Sequence, residues 1–112
     1  MDAELSIQFN SLLKKLALKF GEGLDLTSIL FLVGINEVQV QKESFSKKEK
    51  MDLIHVAICC LLEPYGYYKF IGNDKDNWPH YELLKKLPNI GSKEQEQLLY
   101  QAVLDYFKEN NL

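Results

Sequence analysis

Residues 26–35 and 53–62 are apolar on nearly every side of a helix, and segments of that kind have to be interior. In the first, Leu26, Ile29, Leu30, Phe31, Leu32, Val33 and Ile35 leave no polar face, and Asp25 offers an N-cap. The pattern predicts a helix over 26–42. Gly34 in its middle costs helix stability but lets another helix approach closely. In the second, Ser46-Lys47-Lys48-Glu49 is a capping-box signature directly before the apolar run, which predicts a helix over 47–63. Two such helices must be covered by others.

The cleanest amphipathic helix is predicted over 2–20, where Leu5, Phe9, Leu12, Leu13, Leu16 and Phe20 fall on one stripe. Asp2 and Glu4 at its start and Lys14, Lys15 and Lys19 toward its end match the helix dipole. Gly21-Glu22-Gly23 stops it. Ile7 and Leu18, on the otherwise polar side, read either as lone exposed apolar residues or as the rim of a dimer contact. A last helix over 93–110 opens at Ser92-Lys93-Glu94-Gln95, a second capping-box pattern, with Leu99, Val103, Tyr106 and Phe107 as its stripe. Pro88 and Gly91 punctuate the chain before it.

Between the third and fourth helices the chemistry changes. Pro64 and Gly66 end the helix, and Tyr65-Gly66-Tyr67-Tyr68-Lys69-Phe70-Ile71 is strand-like. Gly72-Asn73-Asp74-Lys75-Asp76-Asn77 supplies turn residues, and Trp78-Pro79-His80-Tyr81-Glu82-Leu83-Leu84 returns as a second strand, with Pro79 confined to an edge position. The expected fold is therefore mainly α: one domain over 1–112 with four helices. A small antiparallel β-hairpin at about 66–87 is inserted between helices 3 and 4. No repeat or low-complexity tract is present.

Composition narrows the function classes. A chain of 112 residues with 46% hydrophobic content supports one core and at most a modest cleft, which favours binding over elaborate chemistry. The formal net charge is −3, and all 13 basic residues are Lys. An acidic chain without a single guanidinium lacks the attraction and the bidentate contacts that nucleic acid demands, so a nucleic-acid partner is not expected. The longest uninterrupted apolar run, Ile29 to Val33, is far too short to span a bilayer, and the acidic N-terminus is unlike a secretory signal. Cys59 and Cys60 are adjacent in a helical pattern and cannot bridge each other, so they are read as free thiols. A cytoplasmic location is the expectation that follows.

Several polar residues fall among apolar neighbours on the helical wheel. Glu37 shares a stripe with Leu26, Leu30 and Val33, and His55 shares one with Met51 and Leu62, one turn before Cys59. Glu37, His55 and Cys59 are thus candidate buried polar groups, and a Glu37 to His55 pair would make a candidate base or a pH-sensitive contact; local satisfaction of each is the plainer alternative. A metal site using His55 and Cys59 with Glu63 or His80 has acceptable ligand types but too few of them, and no metal or other cofactor is expected. Asp74-Lys75-Asp76-Asn77 begins like a calcium loop but continues with Trp78 and Pro79 where a ligand and a glycine are needed. Cys59 and Cys60 are surrounded by Ala57, Ile58, Leu61 and Leu62, and burial of that kind leaves a thiol inert.

What remains is an aromatic cluster in which Tyr65, Tyr67, Tyr68, Phe70, Trp78 and Tyr81 fall within 17 residues, joined by His80. Such rings either staple the hairpin to the helices or form an interface. The leading expectation is a non-catalytic protein-interaction module using Tyr67, Tyr68, Trp78, His80 and Tyr81, its partner another protein or a second copy. The alternative is a small enzyme or ligand-binding protein with a Glu/His site between the central helices and the hairpin.

Overall fold

The computed structural model describes residues 3–87 and 92–110. The four helices are α1 (Ala3–Phe20), α2 (Leu26–Val38), α3 (Lys47–Leu62) and α4 (Lys93–Glu109), and the hairpin strands β1 (Tyr68–Asn73) and β2 (Pro79–Leu83) lie between α3 and α4. This is the mainly α fold with an inserted hairpin that the sequence implies. Asp2, Pro88 and Gly91, each given a local role above, lie outside the described residues. No described helix is long and apolar enough to cross a membrane.

The chain divides into two compact units, one of residues 27–86 and one made from the two ends, 1–26 with 87–112. In the unit built from the ends, α1 buries Leu5, Phe9, Leu12 and Leu16, and α4 buries Leu99, Ala102, Val103, Tyr106 and Phe107. Phe9 meets Tyr100 edge to face, with ring centroids 4.4 Å apart. Gly21, at φ +91°, closes α1 by donating its N–H to the Ala17 carbonyl at 3.0 Å. The Ser92 hydroxyl caps α4 by accepting from the Gln95 N–H at 3.1 Å.

In the other unit, α2 and α3 meet at Gly34. A Cβ placed there would lie 2.2 Å from the Leu53 carbonyl oxygen, so only glycine allows this approach. The expected capping box is complete: Ser46 Oγ accepts from the Glu49 N–H at 3.1 Å, and Glu49 Oε1 accepts from the Ser46 N–H at 2.9 Å. The second helix is shorter than its pattern predicts. It ends at Val38 because Gln39 takes a left-handed conformation (φ +59°) with its N–H bonded to the Ile35 carbonyl at 2.7 Å. That reversal lets the Phe45 ring pack edge to face on Phe31, at 5.2 Å, and brings Lys42 to Glu49.

The strands are antiparallel, pairing Tyr68 with Leu83, Lys69 with Glu82, Phe70 with Tyr81, Gly72 with His80 and Asn73 with Pro79. The register shifts between Phe70 and Gly72, which leaves Ile71 as the extra residue of a bulge. Both strands pack on α3.

Candidate functional site

The hairpin is seated on the C-terminal turns of α3 by polar contacts as well as by its rings. A turn through Gly66 (φ +84°), held by N–H bonds from Tyr65 and Tyr67 to the Leu62 carbonyl, swings the chain out of α3 into β1. Glu63 Oε2 then accepts the Phe70 N–H at 2.7 Å. Cys59 and Cys60 diverge by about 100° on the helix and each meets a tyrosine of a different strand. Tyr68 hydrogen-bonds Cys59, and Tyr81 hydrogen-bonds Cys60. Cys59 Sγ also lies 3.7 Å from His55 Nε2, one helical turn earlier.

These contacts make the thiols poor nucleophiles. Burial pushes Cys59 up to about 11, and burial together with the Glu37 carboxylate pushes Cys60 up to about 12. The Tyr68 and Tyr81 hydroxyls are raised as well, chiefly by burial. All four groups are neutral near pH 7, and the cluster works as hydrogen-bonded packing.

The hairpin tip is wound around Asp74. Its Oδ1 accepts N–H groups from Asp76 (2.9 Å) and Trp78 (3.0 Å), and its Oδ2 lies 2.9 Å from His80 Nε2. Its own N–H donates to the Trp78 carbonyl at 3.0 Å, and Asn77 closes the turn at φ +63°. The His80 contact and the Trp78 N–H hold the Asp74 carboxyl below its usual range.

The expected site residues divide accordingly. Tyr68 and Tyr81 are half-buried against α3, and Tyr67 is half-buried with Lys85 Nζ 4.4 Å over its ring. Trp78 is half-buried and lines a cavity of about 80 Å³ with Val40, Phe45, Glu49, Asp52 and Leu53. His80 is exposed and engaged with Asp74. Cys59 is buried as expected, whereas Glu37 and His55 are exposed. The correction has a simple cause in each case. Glu37 sits in the last turn of the shortened α2, where its carboxylate interacts with Cys60. The stripe that His55 shares with Met51 lies at the surface over its first turns, Met51 itself being 62% exposed, and is buried only from Cys59 on.

In the sequence, Phe70 counts toward the aromatic cluster without being selected as a site residue, and the exposed aliphatic residues beside it are left out. Phe70 (42% exposed), Ile71 (60%), Leu83 (57%) and Leu84 (53%) all belong to the hairpin or its exit. Ile71 is displayed by the bulge, Leu83 is the last residue of β2, and Leu84 follows it. Elsewhere, a surface groove of about 390 Å³ in the α1 and α4 unit is lined by Ile7, Ser11, Lys15, Gln101 and Leu104 among others, and contains none of the hairpin, Glu37, His55 or Cys59 candidates. Among the described residues no three His, Cys, Asp or Glu side chains are grouped as metal ligands would be. No protein-family model matches this chain, and neither a curated protein nor a solved structure matches it.

Proposed function

We propose that this protein is a non-catalytic protein-interaction module of the cytoplasm whose working surface is the hairpin. One observation carries the reading: four of the eight large apolar side chains exposed among the described residues, Phe70, Ile71, Leu83 and Leu84, are concentrated there. Exposing apolar groups in water is unfavourable by about 25 cal/mol per Å², so such a concentration on a small, well-anchored element fits a surface that a partner covers. The rings divide between the two roles that the sequence leaves open for them. Tyr68 and Tyr81 anchor the hairpin from beneath, and the contact surface is formed by the aliphatic groups with Phe70, flanked by Tyr67 and Trp78. The two free thiols suit a reducing compartment.

The test is affinity capture from native extract with the wild-type chain beside Ile71→Asp and Leu84→Asp variants of unchanged circular dichroism. A partner held stoichiometrically by the wild type, another protein or a further copy, should be lost from the variants. Equal retention by all three chains, or no stoichiometric partner and no self-association, would reject the proposal.

A further inference from the structure

Among the described residues, the outer edge of β1 is obstructed and the outer edge of β2 has no backbone partner. On β1, the Phe70 N–H points away from β2 and is taken by Glu63. On either side of β2, the Trp78 carbonyl accepts from Asp74 and the Leu84 N–H donates to the Tyr67 carbonyl at 2.8 Å, so both of these flanking residues direct their backbone groups toward the β1 side. Backbone direction alternates along a strand. Pro79, Tyr81 and Leu83 therefore direct theirs to the outer edge, where a proline is tolerated because no N–H is needed for the ladder.

We infer that a second copy of this chain docks on that edge, β2 against β2 in antiparallel pairing, with the two-fold axis at Tyr81. The inference rests on reading the hairpin as the interaction surface and names its partner. A copy fits because β2 is self-complementary about Tyr81. The two-fold sets His80 opposite Glu82 of the other copy, Pro79 opposite Leu83, and Trp78 opposite Leu84. His80 and Glu82 are exposed, and Leu83 and Leu84 are the exposed apolar groups that this pairing would cover. Lys69 is already the cross-strand neighbour of Glu82. The joined four-stranded sheet would thus carry a row of Lys69, Glu82 and the other copy's His80, with the carboxylate between the Lys69 ammonium and an imidazole whose Nε2 is held by Asp74 of its own copy.

The alternatives are worse on the same grounds. Sliding the copies by two residues opposes Glu82 to Glu82 in one direction and His80 to His80 in the other. Sliding by one residue turns the outward backbone groups of one copy onto side chains of the wrong face. In the preferred register the Tyr81 N–H of each copy donates to the Tyr81 carbonyl of the other, and each Leu83 N–H donates to a Pro79 carbonyl.

Sedimentation equilibrium of the full chain from micromolar to millimolar concentration should show monomer and dimer in exchange. Leu83→Pro removes an N–H directed to the open edge and no bond of the hairpin ladder, so it should weaken the dimer about tenfold or more. The monomer's thermal midpoint at low concentration should be unchanged. In the wild type, amide exchange at Tyr81 and Leu83 should slow as concentration rises, while exchange at Leu84, already bonded to Tyr67, should not. A chain that stays monomeric throughout, a dimer that Leu83→Pro leaves intact, or Tyr81 and Leu83 exchange indifferent to concentration overturns the pairing; the exchange measurement decides even if the proline variant fails to fold. The broader reading is separable, because Ile71 lies on β1 away from this edge: capture of another protein that depends on Ile71 would stand after self-pairing had failed.

Discussion

Gly34 is the residue on which the contact of α2 with α3 depends. An alanine there would gain about 1 kcal/mol in helix propensity, but its Cβ would lie 2.2 Å from a backbone carbonyl oxygen that can move only with its helix. Overpacking of this kind costs about 1–3 kcal/mol and more when backbone must shift. Gly34→Ala should therefore lower unfolding stability by about 2 kcal/mol, read from urea denaturation, and a stabilised variant would mean the helices do not cross there. Glu49 supplies a pH prediction at the same scale. Hydrogen bonds from Lys42 first and the Ser46 N–H second lower its carboxyl to about 2. A carboxyl depressed by folding contributes stability that is present above its unfolded pKa and lost as pH falls toward the folded value. Wild type should accordingly lose stability between about pH 4.5 and 2, and Glu49→Gln should flatten that part of the profile. Ser46→Ala, removing the reciprocal cap, should cost about 1 kcal/mol by denaturation.

At the scale of the element, the hairpin persists because it is tied to α3 at several points. An isolated two-stranded hairpin is marginal in water, yet here Cys59 and Cys60 meet Tyr68 and Tyr81, and Glu63 receives the Phe70 N–H. Glu63→Ala removes that acceptor and should destabilise the hairpin by about 1 kcal/mol, with faster amide exchange at Phe70 while exchange within α1 is unchanged. Equal acceleration everywhere would mean the element is not separately stabilised. The hairpin's existence was legible in the sequence because Pro64, Gly66 and the Asn/Asp-rich turn punctuate it. Its working face was not, because the bulge at Ile71 decides which side chains lie under the sheet, and a one-residue shift has no composition signal. For the same reason Tyr68 and Tyr81 could be singled out, with stapling and interface both open, but not assigned to one of the two. The end of α2 was equally hidden. No glycine or proline marks Gln39, and the left-handed turn there goes together with a distant ring contact, Phe45 on Phe31, that the local sequence does not announce. Glu37 was misplaced as a consequence, since a helix running to 42 would have kept it within an apolar stripe.

At the scale of the molecule, the two ends of the chain form one compact unit, and the continuous segment between them in sequence forms the other. The 18 residues of α1 and the 17 of α4 are thus structural partners separated by most of the sequence. An amphipathic helix draws most of its stability from the packing of its apolar face rather than from intrinsic propensity. Truncation after Leu87 removes α4 and strips Phe9 of its Tyr100 contact. The stripe of Leu5, Phe9, Leu12 and Leu16 would then lose the surface supplied by Leu99, Val103 and Phe107. Far-UV circular dichroism of the truncated chain should fall by about twice the share of α4 alone, because α1 unravels with it. Amide protection within residues 47–62 should survive, since Gly34, Leu53 and the hairpin anchors all belong to the retained unit. A loss equal to α4 alone would show that α1 holds its structure by other contacts, and loss of all protection would show that the two units fold only together.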